Sequence, residues 1–232
     1  MIDINKHKFF MMQILKDIYN DIELSSALGF KGGTALLFFH DLPRFSVDLD
    51  FNLLDLSKED LVYQKLRALL LLHGGIFDEA KKHFSTVIVL NYGMGKRKLK
   101  VEISKRNFGD RYEIKNFLGV WMKVMTEPDM FAHKLCALTD RAATANRDIF
   151  DCWFFLNRRT PVNRTIVESR MNVSLENHIQ TCIELLEKKS DKGLLNGLGE
   201  LMDDETKKFV KTKLRTETIS LLKFYQSFPI EP

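Results

Sequence analysis

Residues 29–51 decide the fold: Gly29-Phe30-Lys31-Gly32-Gly33-Thr34-Ala35-Leu36, then Pro43-Arg44-Phe45-Ser46-Val47-Asp48-Leu49-Asp50-Phe51. Two glycines and a hydroxyl residue stand where a buried strand hands over to a helix. Some fifteen residues on, two aspartates alternate with apolar residues. A strand sends alternate side chains to opposite faces, so Asp48 and Asp50 share one face while Val47, Leu49 and Phe51 point into a core. Neighbouring carboxylates repel unless a cation lies between them. Magnesium takes carboxylate oxygens and keeps positions open for water and phosphate. Glycines let a backbone approach an anion closely, and the N–H groups at a helix start favour phosphate. Together these parts can hold a metal-bound nucleoside triphosphate.

Composition bounds the rest. The chain has 232 residues, 45% hydrophobic and 28% charged, with a net charge of +4. That is room for one full core and a smaller helical domain, in a globular composition. Cys136, Cys152 and Cys182 are odd in number, far apart and without a CxxC pair. This argues against disulfides and a zinc site and suits a reducing cytosol. No apolar run reaches membrane-spanning length, and Met-Ile-Asp-Ile-Asn-Lys is no signal peptide. The expectation is a cytoplasmic protein with no membrane partner. Six histidines show no metal-ligand pairing, and His133 reads as a surface residue.

Further along, residues 3–20 read as an amphipathic helix presenting Phe9, Met12, Ile14, Leu15, Ile18 and Tyr19. A strand over 28–31 feeds a helix ending near His40, and 47–54 form the aspartate strand. Ser57 is the expected N-cap of a helix to about His73, closed by Gly74-Gly75. Thr86–Leu90 and 98–104 read as strands with a turn at Gly93 and Gly95, and 111–118 and 120–125 as two more. A helix over 127–141 with Thr126 as N-cap precedes another, capped by Asn146 and running to about Asn157. Helices near 164–172, 174–189 and 203–228 follow. The fold class is α/β, a mixed sheet over 1–126 with packed helices, followed by a helical part over 127–232.

The glycine turn and aspartate strand resemble the nucleotidyltransferase superfamily, and more closely the AbiEii/AbiGii toxin family of abortive-infection and toxin–antitoxin systems. The resemblance rests on Lys31-Gly32-Gly33-Thr34, Arg44-Phe45-Ser46 and Asp48-Leu49-Asp50-Phe51. A second block, Lys134-Leu135-Cys136-Ala137-Leu138, Asp140-Arg141 and Arg147-Asp148-Ile149-Phe150-Asp151, extends it over about 28–156. Val47 stands where the family has an acidic residue.

The resemblance implies transfer of a nucleoside monophosphate from an NTP to an acceptor hydroxyl, with release of pyrophosphate. It implies Mg2+ on Asp48, Asp50 and a third carboxylate from a neighbouring strand. Glu102 is the candidate; taken alone it is an ordinary solvated strand residue. Lys31, Gly32, Gly33, Thr34, Arg44 and Ser46 fall to the triphosphate. Lys134 and Asp148 are placed near the nucleotide, with Arg141, Arg147 and Asp151 in support. The implied role is a growth-arresting toxin with an antitoxin encoded nearby.

Between Lys96 and Lys123 stand nine basic and three acidic residues, a net of +6 against +4 for the whole chain. A solvated strand face would explain some of these lysines, and a patch for a polyanionic acceptor explains them better; with the family resemblance this implies the 3′ end of tRNA or another RNA, held by Lys98, Lys100, Lys105 and Arg106. The alternatives are a small-molecule acceptor, a protein side chain, or a non-catalytic nucleotide-binding module.

Overall fold

The structure, a computed structural model, describes residues 3–93, 98–140, 145–228 and 230. Lys96, Arg97 and the turn at Gly95 lie outside these, as does Arg141. The chain forms two compact units: 1–41, 45–107 and 112–125 make the first, and 42–44, 108–111 and 126–232 the second.

The first unit opens with helices α1 (Ile4–Asn20) and α2 (Ile22–Ala27). Met11, Ile14, Leu15 and Ile18 of α1 are fully buried, whereas Phe9, expected on the packed face, is exposed. Asp21 caps α2 through the N–H groups of Glu23 and Leu24. Strand β1 (Leu28–Lys31) runs directly into α3 (Gly32–Phe39), and β2 (Leu49–Leu53), shorter than the strand expected over 47–54, carries Asp50 and leaves Asp48 just before it.

Helix α4 (Glu59–Leu71) begins later than expected. Ser57 is not its N-cap: Asp55 accepts from the Ser57 N–H and hydroxyl, closing a short 3-10 turn ahead of the helix. Strands β3 (Gly75–Lys81), β4 (Ser85–Asn91), β5 (Leu99–Ser104), β6 (Tyr112–Phe117) and β7 (Val120–Met125) complete one seven-stranded sheet.

The sheet order is β3-β4-β5-β2-β1-β7-β6. β2 runs parallel to β5 and β1 parallel to β7, while β1–β2, β3–β4, β4–β5 and β6–β7 pair antiparallel. Register decides what meets on each face. Phe30 pairs with Phe51, and their rings, 5.3 Å apart, lie in the core with Leu49, Val101 and Ile103. On the opposite face Lys31 pairs with Asp50, and Asp50 with Glu102.

The second unit is helical: α5 (Glu127–Ala137), α6 (Asn146–Asn157), α7 (Arg164–Met171), α8 (Leu175–Lys188), α9 (Asp204–Thr212) and α10 (Leu214–Ser227). Thr126 takes the N-cap position of α5 without a side-chain cap bond. The N-cap of α6 is Ala145, so Asn146 is already helical; its amide donates to the Gly193 and Asn196 carbonyls. The single helix expected over 203–228 is two, broken at Lys213. Phe150 and Phe155 are fully buried and Phe154 nearly so, and Phe131 stacks on Phe155 at 5.2 Å, so these phenylalanines are core. His133 is not a free surface histidine: its Nε2 lies 2.6 Å from an Asp110 carboxylate oxygen.

Candidate active site

The site of the first unit is built on adjacent strands. β2 and β5 lie side by side in parallel, so Asp50 and Glu102 face each other across one strand spacing. Asp48 precedes β2, and its carbonyl accepts a hydrogen bond from the Thr34 hydroxyl. That bond ties the start of α3 to the aspartate segment. It also redirects Thr34, which is fully buried: the hydroxyl expected on phosphate is committed to the backbone.

Gly32 sits at the strand–helix junction with φ +82°, the left-handed region that glycine enters without penalty. A Cβ there would lie 2.6 Å from Asp50 Oδ2. Gly32 therefore serves two needs, the turn into α3 and the room for the Asp50 carboxylate. Gly29, one strand face further, makes room for Tyr112, whose ring carbon a Cβ would meet at 2.2 Å. Tyr112 in turn accepts from the Asn52 amide at 2.7 Å.

Lys100 is the residue whose place differs most from expectation. Alternation along β5 puts it on the face of Glu102. Its Nζ lies 2.8 Å from Glu102 Oε2 and 3.8 Å from Asp48 Oδ2. Burial works against its charge, but Glu102, Asp50 and Asp48 outweigh that and hold the ammonium protonated. Burial likewise opposes ionisation of Glu102, yet Lys100, a hydrogen bond from Ser85 and the field of Lys31 keep it below the ordinary glutamate range. Lys100 is thus an internal partner of the carboxylates, not a free contact for RNA.

Lys105 is committed too, at 3.0 Å from Glu59 Oε1. Of the four basic residues expected to meet RNA, Lys98 and Arg106 remain turned toward aromatic faces. Lys98 lies over Phe77 and Arg106 over Phe84, and both rings are exposed. A bulge between Ile76 and Asp78 re-aims Phe77.

Asp48, Asp50 and Glu102 are the hard oxygen donors magnesium takes, and Gly32 keeps the space beside Asp50 clear. Among the described residues no three His, Cys, Asp or Glu side chains converge as a ready metal cluster, and the Lys100 ammonium lies among the carboxylates instead. The donor chemistry fits a divalent cation that would share this space with a lysine.

The second unit holds a buried ionic cluster. Arg44 donates to Asp151 in a two-pronged bond, Nε to Oδ1 and NH2 to Oδ2, both 2.7 Å. Lys134 Nζ lies 2.8 Å from Asp151 Oδ2 and 3.0 Å from Asp148 Oδ1. Arg44, expected on the triphosphate, is nearly inaccessible and anchors Asp151. Asp151 is the hub of the cluster. Ser46 of the first unit is buried as well. Asp148 Oδ2 is buried without a partner among the described residues.

Burial alone would raise the Asp151 carboxyl, but Arg44 and Lys134 hold it down at about 2. A carboxyl depressed in the folded state stabilises fully above its unfolded value, about 3.9, and loses that contribution as pH falls through the folded one. Stability should therefore drop between about pH 4 and pH 2. Asp151→Asn should cost about 3–5 kcal/mol at neutral pH, because it leaves two buried cations underpaired. Denaturant melts across pH check both: the gap between wild type and variant should narrow as pH falls toward 2.

A family model described as nucleotidyl transferase AbiEii toxin, type IV TA system, matches residues 13–220. The chain belongs to this family. Two Helicobacter pylori crystal structures share the fold. JHP933 superimposes with a TM-score of 0.65 at 19% identity, over 98% of this chain and 93% of the other. A provisionally assigned nucleotidyltransferase superimposes with a TM-score of 0.67 at 18% identity, over 98% and 96%. No curated protein matches. This is a family of nucleotidyltransferase toxins of type IV toxin–antitoxin systems, and membership implies an antitoxin partner. No helix among the described residues is long and apolar enough to cross a membrane.

Ser85 and Tyr112 lie outside the expected site, whereas Lys100 belongs to it on the strength of the strict alternation that puts it on the face of Glu102, as an ion partner rather than the expected RNA contact. Ser85 and Tyr112 arrive through long-range pairing, and local sequence carries no mark of it.

Proposed function

We propose that this AbiEii-family chain transfers a nucleoside monophosphate from an NTP to the 3′ hydroxyl of tRNA or another RNA, arresting growth until its antitoxin intervenes. The observation that carries the reading is the pairing of Asp50 with Glu102 beside the Gly32 turn, with Asp48 brought near Glu102 through Lys100. The acceptor hydroxyl oxygen bonds to the α-phosphorus, the α–β phosphoanhydride breaks, and pyrophosphate leaves. Glu102, kept ionised by its neighbours, takes the hydroxyl proton. Asp48, Asp50 and Glu102 would hold Mg2+, which would supply positive charge to the phosphates.

Gly32, Gly33 and the backbone N–H groups opening α3 receive the β and γ phosphates, with Lys31 alongside. Thr34 acts by fixing the Asp48 peptide rather than by touching phosphate. Lys134 and Asp148 enter through the family resemblance, and Asp148 also through its unpartnered buried oxygen.

For the acceptor, the supporting observation is the pairing of Lys98 and Arg106 with exposed Phe77 and Phe84. Cations hold phosphates, and aromatic faces stack unpaired bases without reading sequence. The test is incubation with each labelled NTP, magnesium and total RNA. Label should enter an RNA band, and Lys98→Glu with Arg106→Glu should raise the KM for RNA far more than that for NTP. The log–log salt slope of RNA binding should become shallower by about 2, one for each lost phosphate contact. Label in protein or in small molecules alone overturns the RNA acceptor.

A further inference from the structure

We propose that Lys100 is the resident counter-ion of the carboxylate site, and that a divalent cation binds Asp48, Asp50 and Glu102 by displacing its ammonium. The inference rests on the reading of these carboxylates as metal ligands. Its basis is geometric: Nζ lies 2.8 Å from Glu102 Oε2 and 3.8 Å from Asp48 Oδ2, on the face where Asp50 pairs with Glu102. Three carboxylates brought to one sheet face repel each other. In the metal-free chain the lysine relieves that repulsion from within.

The ammonium and the metal compete for the same oxygens. Metal entry therefore breaks the Lys100–Glu102 bond, and the affinity for metal alone is lower than three carboxylates would otherwise give. The four-carbon stem of lysine lets the head swing aside without moving β5. A lysine in this role is a device of the metal site, in contrast to Lys98, which precedes β5 and lies over Phe77.

The test titrates Mn2+ alone into the full chain and reads free Mn2+ by electron paramagnetic resonance, with melting temperature as a second readout. Lys100→Met keeps length and removes charge. It should bind Mn2+ about tenfold tighter or more, the worth of one charge-assisted hydrogen bond. It should also melt lower than wild type without metal and gain more from metal. Lys98→Met makes the same charge change two residues away and should stay within about twofold of wild type, because bulk charge near the surface is screened. Lys100→Arg, which keeps the cation, should bind no tighter than wild type.

Equal or weaker Mn2+ binding by Lys100→Met, with wild type binding and Asp50→Asn not, overturns the competition and leaves the carboxylate site standing. Equal gains from Lys100→Met and Lys98→Met reduce the effect to general charge and overturn it too. If neither wild type nor Lys100→Met binds Mn2+, the carboxylate reading itself falls, and this inference with it.

Discussion

Asp50→Asn should slow nucleotidyl transfer by about 10²–10³-fold or more while the protein still folds and melts close to wild type. Asp50 holds the centre of its sheet face, paired with Lys31 on one side and Glu102 on the other. The asparagine keeps the size and one oxygen but loses the charge. In the ground state that loss relieves carboxylate crowding, so stability has little reason to fall. On the proposed mechanism, it would remove a negative ligand from a cation that neutralises the phosphates in the transition state. Removing one electrostatic stabiliser of this kind costs about 10²–10³ in rate, and loss of the metal costs more. Single-turnover transfer and a thermal melt on the same preparation separate the two effects. An Asp50→Asn protein that transfers at the wild-type rate would sink the carboxylate mechanism.

What the sequence made legible tracks how local each signal is. The β1–α3 turn and the aspartate strand could be read because a period of two and a glycine pair are written within a few residues. β3 was missed. Its residues, Gly75 to Lys81, are mostly exposed, and its bulge interrupts the alternation that would reveal a half-buried strand. Ser57 offered a plausible cap, but Asp55 is the stronger acceptor two residues earlier and captures it. The break between α9 and α10 at Lys213 has neither glycine nor proline to announce it.

Side-chain roles were harder to read than elements, for the same reason. Thr34 stands in the phosphate turn, yet its hydroxyl bonds the carbonyl of a residue fourteen positions on. Arg44 sits four residues before Asp48, yet its partner is Asp151, 107 residues away. A positive stretch in the sequence says nothing of where each cation ends. Lys100 and Lys105 end on carboxylates, while Lys98 and Arg106 end on aromatic rings. Charge counted along the chain does not say which cations are left outside ion pairs.

Gly32→Ala should be nearly as damaging to activity as Asp50→Asn, and unlike it should also destabilise. Of the paired glycines, Gly32 has the positive φ, +82°, and Gly33 does not. Alanine pays about 1–2 kcal/mol to hold a left-handed backbone, and valine more, because its branched Cβ clashes further. The second effect is steric and specific. The new Cβ would lie 2.6 Å from Asp50 Oδ2, 3.0 Å from its Cβ and 3.2 Å from its Cγ. Either the carboxylate swings away from Glu102 or the turn into α3 opens, and both spoil the site. A double-mutant cycle separates the causes. If the loss of rate runs through displacement of Asp50, then Gly32→Ala combined with Asp50→Asn should transfer no more slowly than Asp50→Asn alone. The stability losses should simply add, because the backbone strain does not depend on the carboxylate charge. Rate losses that multiply in full would show that Gly32 acts on the phosphate cradle independently of Asp50. A Gly32→Ala protein with wild-type rate and melting temperature would mean that neither the turn geometry nor the clearance beside Asp50 matters to the reaction.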